Sequence, residues 1–157
     1  MLSGSLFAKL FRTFLMAMVP VIELRGAIPY GVAQGLPLWT AIAVSIAGNL
    51  VPVPFILLFI RRIFAWLRRN NQKLNALVNR LEARAEKKKK TVLRYEFWGL
   101  VILVAIPLPG TGAWTGALVA AMMDLRLKKA LPAITLGVII AAVVVSVITY
   151  GATVVFG

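Results

Sequence analysis

The stretch MVPVIELRGAIPYG, Met18 to Gly31, decides how this chain folds, because it sets a carboxylate and a guanidinium inside apolar sequence. Glu23 and Arg25 stand among Pro20, Gly26 and Pro29, with apolar residues dominant on both sides. A charge at the bilayer centre costs about 2.5–3.5 kcal/mol on insertion scales, so such residues face a cavity or a partner. Residues two apart on a helix do not face each other, so a direct Glu23–Arg25 pair requires a broken helix.

Composition makes the bilayer the solvent to consider. Hydrophobic residues form 61% of the 157, and mean hydropathy is +0.89. A soluble domain of this size has too little interior to hide so much apolar surface. The length fits one domain, residues 1–157. A net charge of +13 would suit a nucleic-acid binder, but 12 of the 18 Lys and Arg fall between Arg61 and Arg94. Membrane proteins mark their cytoplasmic side in this way, and no nucleic-acid-binding motif accompanies the charge. The absence of Cys and His excludes disulfides, thiol chemistry and the usual zinc sites. No nucleotide loop, metal cluster or nucleophile constellation is present, so neither catalysis nor a cofactor is expected. The N-terminal segment has no small-residue cleavage site before Glu23 and is not read as a removable signal peptide.

Four apolar blocks follow from the pattern. Leu38 to Ile60 and Ala130 to Gly157 carry no charge and exceed the roughly 20 residues a membrane helix needs. Pro52 and Pro54 are expected to kink the end of the first of these, and Pro132 to sit in the first turn of the second. The other two blocks, Thr13 to Gln34 and Phe97 to Met123, are broken near their midpoints. In the second of them PLPGTG, Pro107 to Gly112, cannot continue a helix. Backbone freed at membrane depth must be buried in protein or line a wet cavity, so both blocks read as re-entrant hairpins. Re-entry also puts Arg126, Lys128 and Lys129 on the same side as the basic segment, as the positive-inside rule prefers.

Sliding the chain by 89 residues sets Pro20 on Pro109, Leu36 on Leu125, Leu38 on Leu127, Ala41 on Ala130 and Gly48 on Gly137. That echo aligns hairpin with hairpin and span with span, the mark of an internal repeat. With a basic linker between the copies, the second must run oppositely across the membrane. The expected fold is therefore all-α integral membrane, an inverted repeat of re-entrant helical hairpin plus transmembrane helix. Its segments are an N-terminal amphipathic stretch (1–12), hairpin 1 (13–34), a span (38–60), a basic cytoplasmic helical segment (61–96), hairpin 2 (97–123) and a second span (130–157). Ile63, Leu67, Leu74, Leu77 and Leu81 recur at helical spacing in the basic segment, which reads as a helix resting on anionic headgroups. EKKKK, Glu86 to Lys90, is expected to mark a turn or a solvated end.

Two constellations carry the candidate chemistry. Arg25 suits an anionic phosphate because its planar fork donates two parallel hydrogen bonds, and Glu23 would pair with it or carry a proton. A purely structural role, with Glu23 pairing with Arg25 or capping a half-helix, stands beside that reading. PLPGTGAWTG, Pro107 to Gly116, offers a half-helix N-terminus with exposed N–H groups. In it Pro107, Pro109, Gly110 and Gly112 shape the turn, Thr111 adds a hydroxyl, and Trp114 could wall a site. Gly112 and Gly116 also form a small-xxx-small pair suited to helix packing. Asn49, deep in the first span, is expected to make an interhelical hydrogen bond.

PVIELRGAIPYG (Pro20 to Gly31), AIPLPGTGAWTGAL (Ala105 to Leu118), GNLVPVP after the first hairpin and the basic middle segment together resemble the bacterial small multidrug export family. That family in turn resembles the DedA/VTT membrane proteins, with two inverted re-entrant hairpins each followed by a transmembrane helix. The more distant resemblance implies movement of lipids, including undecaprenyl phosphate and phospholipids, between leaflets. It also implies acidic and arginine residues on both hairpins. Here Glu23 and Arg25 match the first set, while PLPGTG has no charged counterpart, so backbone dipoles would replace the missing arginine.

The leading expectation is a multi-pass transporter of the bacterial inner membrane that moves an anionic lipid phosphate. Its site residues would be Glu23, Arg25, Gly26, Pro29, Pro107, Pro109, Gly110, Thr111, Gly112 and Trp114. Membrane lipids are the expected partners, and two spans give so thin a wall that a homodimer is expected too. Proton-coupled export of cationic drugs is an alternative, with Glu23 as shared site and Tyr30, Trp39 and Trp114 as aromatic walls. A non-transporting scaffold is another.

Overall fold

The computed structural model describes residues 4–108 and 111–156, with the backbone alone for 88–95. Among the described residues every regular element is a helix. The order is α1 (Leu6–Met18), α2 (Glu23–Ala33), α3 (Leu38–Leu50), α4 (Pro52–Asn70), α5 (Gln72–Tyr95), α6 (Phe97–Ala105), α7 (Ala113–Met122) and α8 (Leu127–Phe156).

Local chemistry sets the breaks. Ser5 caps α1 by accepting from the Ala8 N–H at 3.3 Å, and the helix ends at extended Val19, just before Pro20. Helix α2 stops at Gly35, whose φ of +85° suits a residue without a Cβ. There Leu36 N–H bonds to Gly31 O at 3.0 Å and Gly35 N–H to Val32 O at 2.9 Å. The end of α7 repeats the pattern 89 residues on: Leu125 N–H reaches Ala120 O at 3.0 Å and Asp124 N–H reaches Ala121 O at 3.3 Å. Asp124 takes the place of the glycine, with φ +56°. The next helices begin in step as well, with Ala41 N–H on Pro37 O at 3.0 Å and Ala130 N–H on Arg126 O at 2.9 Å.

Helices α3 and α4 form one rod, because Val51 between them is itself helical (φ −57°, ψ −47°). The rod runs 33 residues, Leu38–Asn70, and with the 30-residue α8 it is one of two helices among the described residues that are long and apolar enough to cross a membrane. At 1.5 Å per residue it extends about 50 Å, so its basic end projects beyond a core of roughly 30 Å. Pro52 and Pro54 consequently lie near the middle of the rod, not at the end of a span, and Pro52 takes the first helical position of α4. Pro132 falls in the second turn of α8, since that helix begins three residues before the expected start.

Helices run through three positions where the sequence suggests a change of segment. No helix boundary falls at residue 12, because α1 runs unbroken from Leu6 to Met18. The basic segment does not begin a new element at Arg61, since α4 carries on to Asn70. Nor does EKKKK turn the chain: α5 continues through it to Tyr95. Glu and Lys are good helix formers, and burial of Val78 and Ala85 anchors the helix along one face. The Asn71 side chain starts that helix by accepting from Lys73 N–H at 3.0 Å.

Helices α1 and α2 fold back on each other. A Cβ on Gly31 of α2 would stand 3.1 Å from the Thr13 side chain of α1. Helices α6 and α7 do the same, with Gly116 pressed on Val104. Each pair then lies on a long helix through a second glycine. Gly48 of α3 meets the Phe14 carbonyl and Ala17 of α1, and Gly137 of α8 meets the Val101 carbonyl and Val104 of α6. The open ends of the pairs sit at opposite ends of the α3–α4 rod. Lys9 and Gly35 lie together beside its start, where a Cβ on Gly35 would be 3.7 Å from the Lys9 ammonium. Towards its other end Arg61 pairs with Asp124 at 2.7 Å and donates to Met122 O at 3.2 Å. Glu96, at the start of α6, lies 3.9 Å from Lys129 of α8. The core between these layers is aliphatic, with Leu24, Ile28, Val53, Val104, Ile134 and Val138 all buried.

Candidate functional site: an ion pair of one tip set on the helix ends of the other

The turns of the two helix pairs meet, and the meeting is built from charges facing helix ends. Glu23 opens α2 with φ +50°, a left-handed conformation that a non-glycine residue adopts under strain. Its side chain is 2% exposed and turns away from its own helix. One carboxylate oxygen, Oε1, accepts the Trp114 N–H at 3.1 Å in the first turn of α7. That is the positive end of the α7 dipole, where an anion is stabilised. The other, Oε2, lies 3.4 Å from Arg25 Nη1.

Arg25 does the complementary work at the end of α6. Its Nη2 donates to Ile106 O at 2.8 Å and to Thr111 Oγ1 at 3.0 Å. Its Nη1 donates to Thr111 O at 2.7 Å. Ile106 caps α6, so the guanidinium sits at the negative pole of that helix and satisfies a carbonyl with no intrahelical partner. The Nε–H is buried and has no partner among the described residues. Thr111 holds the loop in shape: its hydroxyl lies 2.6 Å from Ile106 O and 2.7 Å from Leu108 O, and accepts the Leu108 N–H at 3.3 Å. A third tie crosses the tips the other way, from the Trp114 indole N–H to Met18 O at 3.0 Å, at the last residue of α1.

Gly112 makes the junction possible. Its φ is +120°, and a Cβ there would overlap Glu23 Oε2 and stand 2.8 Å from Arg25 Nη1. The space that any side chain at 112 would need is filled by the carboxylate.

The structure thus brings together Glu23, Arg25, Thr111, Gly112 and Trp114. Gly26 instead packs beneath Ile22, and Pro29 lies inside α2. Pro107 lies half-buried in the turn, next to the Ile106 carbonyl that Arg25 holds. Pro109 and Gly110 lie outside the described residues. The Asn49 Oδ1 makes no interhelical hydrogen bond among the described residues, and neither does Ser45 Oγ one turn before it, although both residues are buried.

Residue type alone could not have revealed Ile106 and Met18, which act through main-chain carbonyls. A second feature had a readable signal. Beside the tips lies an open groove of about 720 Å³, floored by Met18 and Trp114 and walled along α4 by Phe55, Phe59 and Trp66. Among the described residues Arg62 is the one charged group in its lining. Positions 55, 59, 62 and 66 recur at intervals of three and four, one stripe of a helix.

Long apolar helices, paired shorter helices and a carboxylate buried where their turns meet fit a membrane-embedded protein. The chain belongs to the family described as "Putative small multi-drug export protein", whose model matches residues 23–144. That match takes in Glu23 and Arg25, the whole second tip, the basic middle and more than half of α8. The family and the two long helices fit a membrane location. Neither the comparison with curated proteins nor that with solved structures gave a match.

Proposed function

We propose that this chain is a multi-pass transporter of the bacterial inner membrane that moves an anionic lipid phosphate between leaflets, by a mechanism like that of DedA proteins. In this reading α1–α2 and α6–α7 are re-entrant hairpins of an inverted repeat, each followed by a span. Three observations support the repeat: the hydrogen bonds that match at 89 residues, the positive φ at both Glu23 and Gly112, and the open ends at opposite ends of the α3–α4 rod. The tips would then meet near the midplane, where a headgroup must cross.

The observation that carries the substrate reading is Arg25. It stands where the tips meet, one-fifth exposed, with its Nε–H unused. A phosphate arriving there could take that donor and compete with the Ile106 and Thr111 carbonyls for the fork. Glu23 would couple the step to protons, because protonation removes the charge that holds Arg25 and the α7 N-terminus. Two copies are proposed to seal the thin wall left by two spans.

The alternative is proton-coupled export of cationic drugs: the family's description names multi-drug export, and the groove has the aromatic walls a cation would need. Of the expected aromatics, Trp114 lines that groove, Trp39 is 81% exposed and Tyr30 is not among the lining residues. Arg25 and Arg62 both oppose a cation. The deciding experiment is movement of a fluorescent lipid phosphate in proteoliposomes, for wild type and Arg25→Ala, across an imposed pH step. Arg25-dependent movement is expected; movement no faster than in empty liposomes, with folded protein, would sink the reading. A scaffold would show no flux of either substrate class.

A further inference from the structure

We infer that the groove along α4 is a binding site for a single anionic amphiphile, its apolar chain against Phe55, Phe59 and Trp66 and its headgroup on Arg62. The site's occupancy does not depend on the transport reading, but the ligand's fate does.

Concave apolar surface facing a bilayer is ordinarily filled by bulk lipid, so the selectivity must come from polar groups. Arg62 supplies it. Arg61 is engaged by Asp124, and Arg68 by Glu82, whereas Arg62 has no ion pair among the described residues. It lies eleven residues beyond Val51 on the same helix, about 16 Å along the axis. The groove therefore runs from the level of the tips to the basic end of the rod. That spacing suits a chain reaching inwards from a headgroup at the surface. A cationic amphiphile would meet Arg62 with like charge and no acid in the lining.

The inner end gives the site a consequence. Its floor includes Met18 and Trp114, and these two residues are tied by the indole–carbonyl bond. The peptide N–H of the same Trp114 rests on Glu23. A chain pressing on the indole thus bears on the junction of the tips, without touching Glu23 or Arg25.

The test uses intrinsic fluorescence. Trp39 and Trp98 are 81% and 60% exposed, and neither lines the groove. In Trp39→Phe/Trp98→Phe protein the remaining indoles, Trp66 and Trp114, both do. In nanodiscs of zwitterionic lipid, phosphatidic acid with brominated chains should half-quench them at about tenfold lower mole fraction than brominated phosphatidylcholine. Arg62→Gln should shrink that preference to less than about twofold. Arg68→Gln, which changes the local charge equally but lies outside this groove, should keep it.

Equal quenching by the two lipids, or a preference unchanged in a folded Arg62→Gln protein, overturns the inference. So does equal loss of preference in Arg68→Gln, which would mark a diffuse basic surface. Absence of quenching by either lipid, with efficient cross-linking through α4, would assign the groove to a second copy instead. Selective quenching without lipid flux leaves this site standing and removes the transport proposal. Arg25-dependent flux without selective quenching does the reverse.

Discussion

The two tips share a backbone and divide the chemistry. Glu23 and Gly112 lie 89 residues apart, both have positive φ, and both stand at the start of a helix, as its first residue and its cap respectively. In the first tip that position carries a carboxylate and accepts the strain of a left-handed glutamate. In the second it carries nothing, and the carboxylate of the first occupies the vacancy. A second acid there would place two like charges in one buried space. One tip therefore supplies both ions, and the other answers with the ends of two helices. A junction between similar halves need not be chemically symmetric, and here asymmetry lets the charges be satisfied.

The largest effect should come from removing the cation. Arg25→Ala leaves Glu23 buried without its ion partner and takes the guanidinium donors from Thr111 O and Ile106 O, at a cost of about 3–5 kcal/mol. It should appear as a lower unfolding midpoint in a denaturant series, and Glu23→Gln in the same chain should recover part of it. No recovery would mean the carboxylate is held by α7 alone. Next, Gly112→Ala attacks the comparison from the other side. It combines overlap with the carboxylate and a disfavoured φ, and should cost about 2–4 kcal/mol. A neutral outcome in the same series would show that the tips can separate without penalty.

Trp114→Phe keeps one aromatic ring but deletes the bond to Met18 O and part of the indole's packing, and should lower stability by about 1–3 kcal/mol. Its signature would be faster hydrogen exchange at the end of α1, with α7 little changed. The smallest test addresses the turns that lead from each helix pair into the long helix after it, where Gly35 and Asp124 play the same part. Gly35→Ala should cost about 1 kcal/mol, while Asp124→Gly should be neutral or slightly stabilising despite losing an exposed pair with Arg61. Equal effects at both would break the equivalence of the turns.

Much of the fold was readable, because hydropathy and prolines report directly on helix length. The uncharged run 38–60 falls within the α3–α4 rod and residues 130–156 within α8, and the PLPGTG stretch falls between the end of α6 at Ala105 and the start of α7 at Ala113. The need for a broken helix beneath a Glu23–Arg25 pair also holds, since Glu23 is the distorted first residue of α2. Charge density misled at Glu86 to Lys90. A run of lysines looks like a solvated end, yet each is a competent helix former and α5 is pinned elsewhere by Val78 and Ala85. At the site, residue types located the tips but not their partners. The groups that meet Arg25 are chiefly carbonyls, and every residue has one.

That last point shapes what genetics could find. Of the ties across the tips, those to Ile106, to Trp114 N and to Met18 each end on a main-chain atom. Alanine scanning cannot delete a carbonyl or a peptide N–H. A complete scan would return a lopsided map, with loud signals at Glu23 and Arg25, a moderate one at Trp114 and near silence at Ile106 and Met18. Read by side chains, the protein would look as though one tip worked alone. Amide-to-ester replacement of the Trp114 peptide, which removes its N–H, would give the silent half its voice.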